Sequence, residues 1–462
     1  MPLILGTNSI KDTGYNVANS CRFDGTSAYL YKSTSSGTNT KFTYSVWIKR
    51  SSSDASTAGT QYPRILGSHT NSGAYLRLNF NRATDGEQLH LYSETVGGAS
   101  TLLTNRFFRD PTAWMHILVA VDTTDGTADD RQKIFINGVQ ETSFATRSNP
   151  SQNADYRINN GSSTLTVGKK SFPSEASDFF DGYMAEVHYI DGTAYAPTDF
   201  GEYDSDSPTI WKPKEVSGIN YGTNGFYLDF ADSSNLGNDA NGGTDLTEVN
   251  LATTDQSTDT CTNNFATWNP LFRKGTSTPA FAEGNLKSTF DDSGANEFAL
   301  TTFGVDTGKW YAEVKWTSAH GNSATATGIL DMDYTGTADP NNAVTNAFGY
   351  FGNGNKNVSG TASSYGASYT SGDIIGIALN CDDNQVTFYK NGSSQGVISI
   401  IAGVTYGIFA SDYGSKVAEL NTGSPPYAIS SGNSDGNGYG NFEYSVPSGY
   451  YSLNSKNLAE FG

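Results

Sequence analysis

Glu202, Asp204 and Asp206 alternate along the string Glu-Tyr-Asp-Ser-Asp. On a β-strand that spacing would set the carboxylates on one face. Two carboxyls about 5–5.5 Å apart are what retaining glycoside hydrolysis uses. The string lies between Gly201 and Ser207-Pro208, however, and outside any alternating apolar run. An acid–base pair needs geometry before composition, so no catalytic residue is assigned and the chain is expected not to be an enzyme.

A second acidic string, DTTDGTADD, holds Asp122, Asp125, Asp129 and Asp130 between two strand-like runs. Several oxygens on a flexible turn suit a hard cation, and Ca²⁺ is the candidate. The string lacks EF-hand spacing and a closing Glu, so a solvated acidic hairpin loop is the competing expectation. Asp331 and Asp333 in LDMDYTGTAD invite the same comparison. His69, His90, His116, His188 and His320 never come as a close pair, and no G-x-S-x-G, H-E-x-x-H or P-loop string occurs. His116 and His188 fall inside strand-like runs and are expected to be packed.

Binding residues are the stronger candidates. Tyr350, Phe351, Asn353, Asn355, Tyr365 and Tyr369 crowd into 349–370 among Gly and Ser. Aromatic rings stack on the C–H faces of sugars, Asn takes hydroxyls, and Tyr, Ser, Gly and Asn compose adaptable recognition loops. These six are the expected ligand contacts. Trp47, Trp114, Trp310 and Trp316 sit in strand-like runs and are expected in sheet packing.

The elements that must position these residues are strands. FTYSVWIKR (42–50) alternates Phe42, Tyr44, Val46 and Ile48, the period of a half-buried strand. AYLRLNF (74–80) and QLHLYSE (88–94) repeat it, and WMHILVAVD (114–122) reads as a central strand covered on both faces. GKWYAEVKW (308–316) alternates around Trp310, Ala312, Val314 and Trp316. Asn137-Gly138 and Asn391-Gly392 each follow an apolar strand; Asn-Gly suits the two positive φ values of a type I′ turn. The expected division is a sandwich over 1–200, an irregular connector over 201–285 packing at Phe226, Tyr227, Leu228, Phe265 and Trp268, a second sandwich over 286–421, and a tail over 422–462 without the periodicity of a stable helix.

Composition agrees. Of 462 residues 36% are hydrophobic and 16% charged, with 50 Gly, 27 Tyr and 25 Phe; this is an all-β composition, not a disordered or helical one. A net charge of −19 argues against nucleic acid, which needs clustered cations, and against docking on an anionic membrane. No apolar run reaches the length of a membrane span. The start MPLILGTNSIKDTG has no basic residue before its apolar run, and a protein made without a secretion signal is expected. Three Cys, at 21, 261 and 381, are too scattered for a disulfide framework and are expected as free, buried thiols.

FDGTSAYL, YSVWIKR, the Trp114–Asp122 run, KIFINGV and FDGYMAEV together resemble laminin-G-like jelly rolls of the concanavalin A type. GKWYAEV and GDIIGIALNCDDNQVTFYKNG resemble a SPRY domain. The first resemblance implies an antiparallel jelly-roll sandwich, some members of which are glycosidases carrying E-x-D-x-E; here Asp206 stands where the second Glu belongs. The connector FGEYDSDSPTIWKPKEVSGINYGTNGFYLDF, with TDTCTNNFATWNPL, and the closing PSGYYSLNSKNLAEFG are similar to tail and fibre proteins of marine bacteriophages. That resemblance implies a non-enzymatic virion protein, assembled in the host cytoplasm and released by lysis. Its partners would be other virion proteins, further copies of itself (a trimer, as in a fibre) and a host-surface glycan, with no nucleic acid and no membrane insertion. A glycan depolymerase on the same fold and a purely structural capsid or tail decoration are the competing expectations.

Overall fold

Alternation of large apolar residues is realised as stacked antiparallel sheets. The computed structural model describes residues 14–51, 62–71, 74–83, 86–95, 98–170, 178–272, 279–291, 297–336, 338–341 and 344–462. They fall into two compact units, whose described residues run 14–262 and 263–462. The chain is nearly all-β.

In the unit 14–262 one eight-stranded sheet follows the order Val139–Gln140, Gln132–Ile136, Met115–Asp122, Lys41–Arg50, Asp181–Asp191, Ser20–Asp24, Gln256–Ser257, with Phe226–Leu228 also paired to Asp181–Asp191. The other follows Phe144–Ser148, Gly98–Phe108, Gly86–Thr95, Ala74–Ala83, Arg64–Asn71, Thr164–Val167, Tyr29–Ser33, Thr247–Val249. Phe42, Tyr44, Val46 and Ile48 all point into one buried cluster, with Leu76, Leu78, Leu89, Leu91 and Leu102 from the second sheet. Met115–Asp122 is covered on both faces, as its continuous apolarity requires. Ile117, Val119 and Val121 join that core, while Leu118 and Ala120 pack outward with Phe200 and Tyr221.

Residues 201–262 are more structured than an irregular connector. They supply the strands Gly201–Tyr203, Trp211–Pro213, Phe226–Leu228, Thr247–Val249 and Gln256–Ser257, and Trp211 packs on the outward Trp47. Phe226 and Leu228 are wholly buried. Phe265 and Trp268 belong instead to the second unit, both almost wholly buried.

That unit stacks the sheet Ala280–Ala282, Lys287–Phe290, Lys416–Asn421, Lys309–Ser318, Ile374–Asn380, Gln385–Lys390, Ser393–Ser399 on the sheet Glu297–Leu300, Tyr406–Asp412, Ala326–Asp331, Ala347–Phe351, Asn355–Val358, Thr361–Ser364. Trp268, Trp310 and Trp316 fill its core. The tail adds Tyr451–Ser452 in parallel beside Trp310 and Tyr311 and then forms a short helix, Ser455–Phe461. Seven residues are too few for an isolated helix. Here Asn454 caps it, accepting Asn457 N–H at 2.9 Å, Leu458 is buried, and Phe461 stacks 3.8 Å from Tyr451.

Both Asn-Gly pairs adopt the expected turn, with φ of 48° and 79° at Asn137-Gly138 and 46° and 77° at Asn391-Gly392. Cys21, Cys261 and Cys381 are free thiols; the first and last are buried, Cys261 half-buried.

Candidate functional site

The acidic string 122–130 is served by cations of the protein itself. Asp122 takes the Lys41 ammonium at 2.9 Å and accepts Thr124 N–H at 3.0 Å. Asp125 accepts Thr127 N–H at 2.8 Å. Asp129 pairs with Arg147 at 3.1 Å and Asp130 with Lys133 at 2.9 Å. The loop carbonyls are taken too: the Arg131 guanidinium donates to Asp125 O at 2.9 Å, Pro150 O at 3.0 Å and Gly126 O at 3.2 Å. A Ca²⁺ ion needs six to eight oxygens turned to one point. Asp122, Asp125, Asp129 and Asp130 do not offer that shell, because each caps a turn or holds its own cation. Among the described residues no three His, Cys, Asp or Glu gather as a metal-binding group. Asp331 likewise accepts Asp333 N–H and Asn346 Nδ2, both at 2.9 Å.

The six residues expected to contact ligand are separated by the strand pleat. Tyr350 and Phe351 end the strand Ala347–Phe351, and Tyr350, Phe351 and Tyr369 are 0%, 3% and 1% exposed, too little to meet a sugar. Tyr369 Oη donates to Tyr350 O at 2.7 Å, Tyr350 Oη donates to Ala367 O, and their rings lie 4.9 Å apart. These tyrosines latch 352–370 onto the core. Asn353 is exposed and accepts Asn355 N–H at 3.0 Å as a turn cap. Asn355 opens the strand Asn355–Val358 opposite Ser364. Tyr365 is half-buried and donates to Gly396 O. Strand alternation sends large residues inward here, so a run that reads as a loop is mostly hairpin.

Glu202 and Asp204 share one cation. Lys212 Nζ lies 3.7 Å from Glu202 and 3.1 Å from Asp204. The Lys212 hydrogen bond, with N–H groups of Ser207 and Asp206, holds the Asp204 carboxyl below its ordinary range. Asp206 is exposed.

Three histidines are tied into the packing. His116 is stacked between Trp47, 5.1 Å away, and Trp211, 6.0 Å away. Trp211 Nε1–H donates to His116 Nδ1 at 3.1 Å, so the proton is on Nε2, 2.8 Å from Ser45 Oγ. Burial, with the nearby His188, pushes its pKa down to about 3. His188 stacks 4.2 Å from Tyr227 with its Nδ1 2.8 Å from Tyr221 Oη. His320 stacks 4.2 Å from Tyr413, and its Nδ1 lies 2.7 Å from the buried Asp412 carboxylate.

A row of outward-facing residues lies on the outer face of the second sheet of the first unit, where the pleat puts alternate residues in register. Ser148, Thr101, Tyr92, Arg77, Gly67, Thr166, Tyr31 and Thr247 form one row, each paired to the next across eight strands. Their sequence neighbours Leu102, Leu91, Leu78, Leu66, Leu165 and Leu30 face the core. Tyr31, Tyr75, Arg77 and Tyr92 are half-buried, with part of each surface in water. Tyr92 and Tyr31 stand four strand spacings apart, roughly 19 Å. Beside Tyr92, Tyr75 lies 5.4 Å away; beside Tyr31, Tyr29 lies 6.1 Å away. Two tyrosine pairs thus bracket Arg77 and Gly67. Tyr31 and Tyr92 are 61 positions apart in the chain, and only sheet register joins them; the alternation of AYLRLNF and QLHLYSE was the available signal.

Residues 24–196 match the Laminin_G_3 model, described as the concanavalin A-like lectin/glucanases superfamily. Residues 309–406 match the SPRY domain model. No curated protein matches the chain. Among solved structures, the SPRY domain of human HERC1 is 21% identical over 29% of this chain and 87% of its own, with a TM-score of 0.25. The TRIM65 PSpry domain is 13% identical over 34% and 92%, TM-score 0.28. The heptameric SAP-like pentraxin of Limulus polyphemus is 13% identical over 39% and 80%, TM-score 0.27. The chain carries a concanavalin A-like domain of the Laminin_G_3 type and a SPRY domain.

Proposed function

We propose that this protein is a non-enzymatic adhesion component of a bacteriophage virion, a fibre or fibre-like appendage whose β-sandwich modules hold host-surface glycan. The observation that carries the glycan part is the row on the outer sheet face, with Tyr92 and Tyr31 facing outward in register around Arg77. Rigid tyrosines present a flat apolar face and a polar tip at low entropic cost. The virion part rests on the connector and closing strings, which are similar to phage tail and fibre proteins. Contacts on an open sheet face are individually weak, and several copies in one appendage multiply them.

The test is the full chain on a glycan array, run beside a reducing-end assay. The expected result is binding to one glycan class with no release of reducing ends. Binding to no glycan contradicts the adhesion reading, and release of reducing ends replaces it with a depolymerase. Peptide mass spectrometry of purified particles should find the chain among the virion proteins; its absence contradicts the virion reading.

A further inference from the structure

Arg77 is the anomaly in that row. On a chain of net charge −19, Arg22, Arg50, Arg64, Arg106 and Arg147 each contact a carboxylate; on the same face Arg64 is held by Asp178 at 3.0 Å and by Asn79 Oδ1 at 2.8 Å. Arg77 has no carboxylate partner among the described residues. Among the described residues its guanidinium has neither an ion pair nor a hydrogen bond, and its Nε is buried and unpaired. Two rings contact it: the guanidinium carbon is 4.8 Å from the centroid of Tyr92 and 5.6 Å from that of Tyr75. Its register partner on the adjacent strand is Gly67, which has no side chain to meet it. Burial and, after it, the charges of Arg77 and Arg64 depress the pKa of the neighbouring His90 to about 4. A second cation nearby repeats the pattern: the Lys169 ammonium lies 4.4 Å over Tyr29 and 5.2 Å over Phe179, with no carboxylate partner among the described residues.

A guanidinium held against two packed rings is pre-organised, with no hydrogen bond to its fork among the described residues, and a planar fork matches carboxylate and sulfate oxygens. We propose that the outer sheet face of the concanavalin A-like domain is a site for an acidic saccharide, in which Arg77 takes a sugar carboxylate or sulfate while the flanking tyrosines stack on the rings. Lys169 beside Tyr29 serves a second anionic group further along the row. The proposal rests on the glycan-adhesion reading and adds the charge of the ligand. The acid is specified by Arg77 and the saccharide by the tyrosine pairs, because an acidic peptide would need the charge but not the flat faces.

The test is calorimetry on the full chain with four probes: tetragalacturonic acid, its methyl ester, a sulfated galactan tetrasaccharide and tetraglutamate. The acid or the sulfated probe should bind about ten- to hundredfold tighter than the ester, with affinity falling as salt rises. Preference for the uronate or the sulfate identifies which anion is read. Arg77→Gln should abolish the preference, Arg77→Lys should keep part of it, and both should melt within a few degrees of the parent, since the side chain loses no polar partner among the described residues. Binding of both anionic saccharides no tighter than the ester, or a preference that survives Arg77→Gln, overturns the proposal while leaving glycan adhesion standing. Tetraglutamate binding as tight as the saccharide overturns the saccharide assignment. Failure of all four probes on a chain that binds neutral glycans on the array overturns the acidic class alone; failure on the array as well removes the reading beneath it.

Discussion

The Arg77 guanidinium lies over the ring of Tyr92, the residue registered against it on the next strand, at 4.8 Å from the centroid. An exposed cation–π contact of this kind is worth about 0.5–1 kcal/mol. Tyr92→Ala should therefore lower the melting temperature by only a few degrees while weakening glycan binding at least tenfold. Calorimetry and a thermal melt on the same preparation check both. A large loss of stability with unchanged binding would make Tyr92 a packing residue.

The two units should respond to pH in opposite directions. In the first, burial depresses the pKa of His116 to about 3 and that of His90 to about 4. Both prefer to be neutral when folded, so their contribution is full above about pH 6.5 and is lost as pH falls towards 3. In the second, Glu313 is wholly buried and burial raises its pKa to about 7, against donors from Tyr444 N–H, Glu443 N–H, Tyr311 Oη and Asn421 Nδ2. The folded state holds that proton, so stability is greatest below about pH 4.5 and declines as pH rises through 7. The effect is of the order of 3 kcal/mol. Native-state hydrogen exchange, corrected for intrinsic rates, should show Met115–Asp122 weakening towards acid and Lys309–Ser318 weakening towards neutrality.

Asn137 and Asn391 do the same job in different sandwiches. Asn137 N–H donates to His116 O at 3.0 Å while its Oδ1 accepts His116 N–H at 2.8 Å. Asn391 makes the matching pair with Ile374, both bonds at 2.9 Å. Each turn thus adds a rung to the strand beyond its own hairpin. Ala at either position keeps the positive φ strain and loses the side-chain bond, costing about 1–2 kcal/mol in urea denaturation. Gly relieves the strain and should cost less.

Because Arg131 fills the carbonyls of the acidic hairpin and Lys41, Lys133 and Arg147 hold its carboxylates, added Ca²⁺ should do little. A site that binds the folded state would raise the melting temperature with concentration. Millimolar Ca²⁺ or EDTA should shift it by less than about one degree. A rise of several degrees would show that the loop opens to admit the ion.

Much of the fold was legible because alternation and turn chemistry are local. Phe42, Tyr44, Val46 and Ile48 turn inward as their spacing predicts, and both Asn-Gly turns fall where expected. The face proposed for the glycan was not legible, because alternation names two faces without saying which is covered. Tyr350 and Tyr369, in a Gly- and Ser-rich run, turn into the core, while Tyr31, Tyr75 and Tyr92, in strand-like runs, keep surface in water. Nor does composition show that residues 201–262 pair with the sheets, since their strands are only two or three residues long and take their stability from the neighbours they join.

Hydrogen exchange with and without a bound glycan locates the site most directly. The expected footprint is slowed exchange in Tyr29–Ser33, Ala74–Ala83 and Gly86–Thr95, weakened for an acidic glycan in Arg77→Gln. Protection confined to 349–370, with the three strands unchanged, would contradict the account.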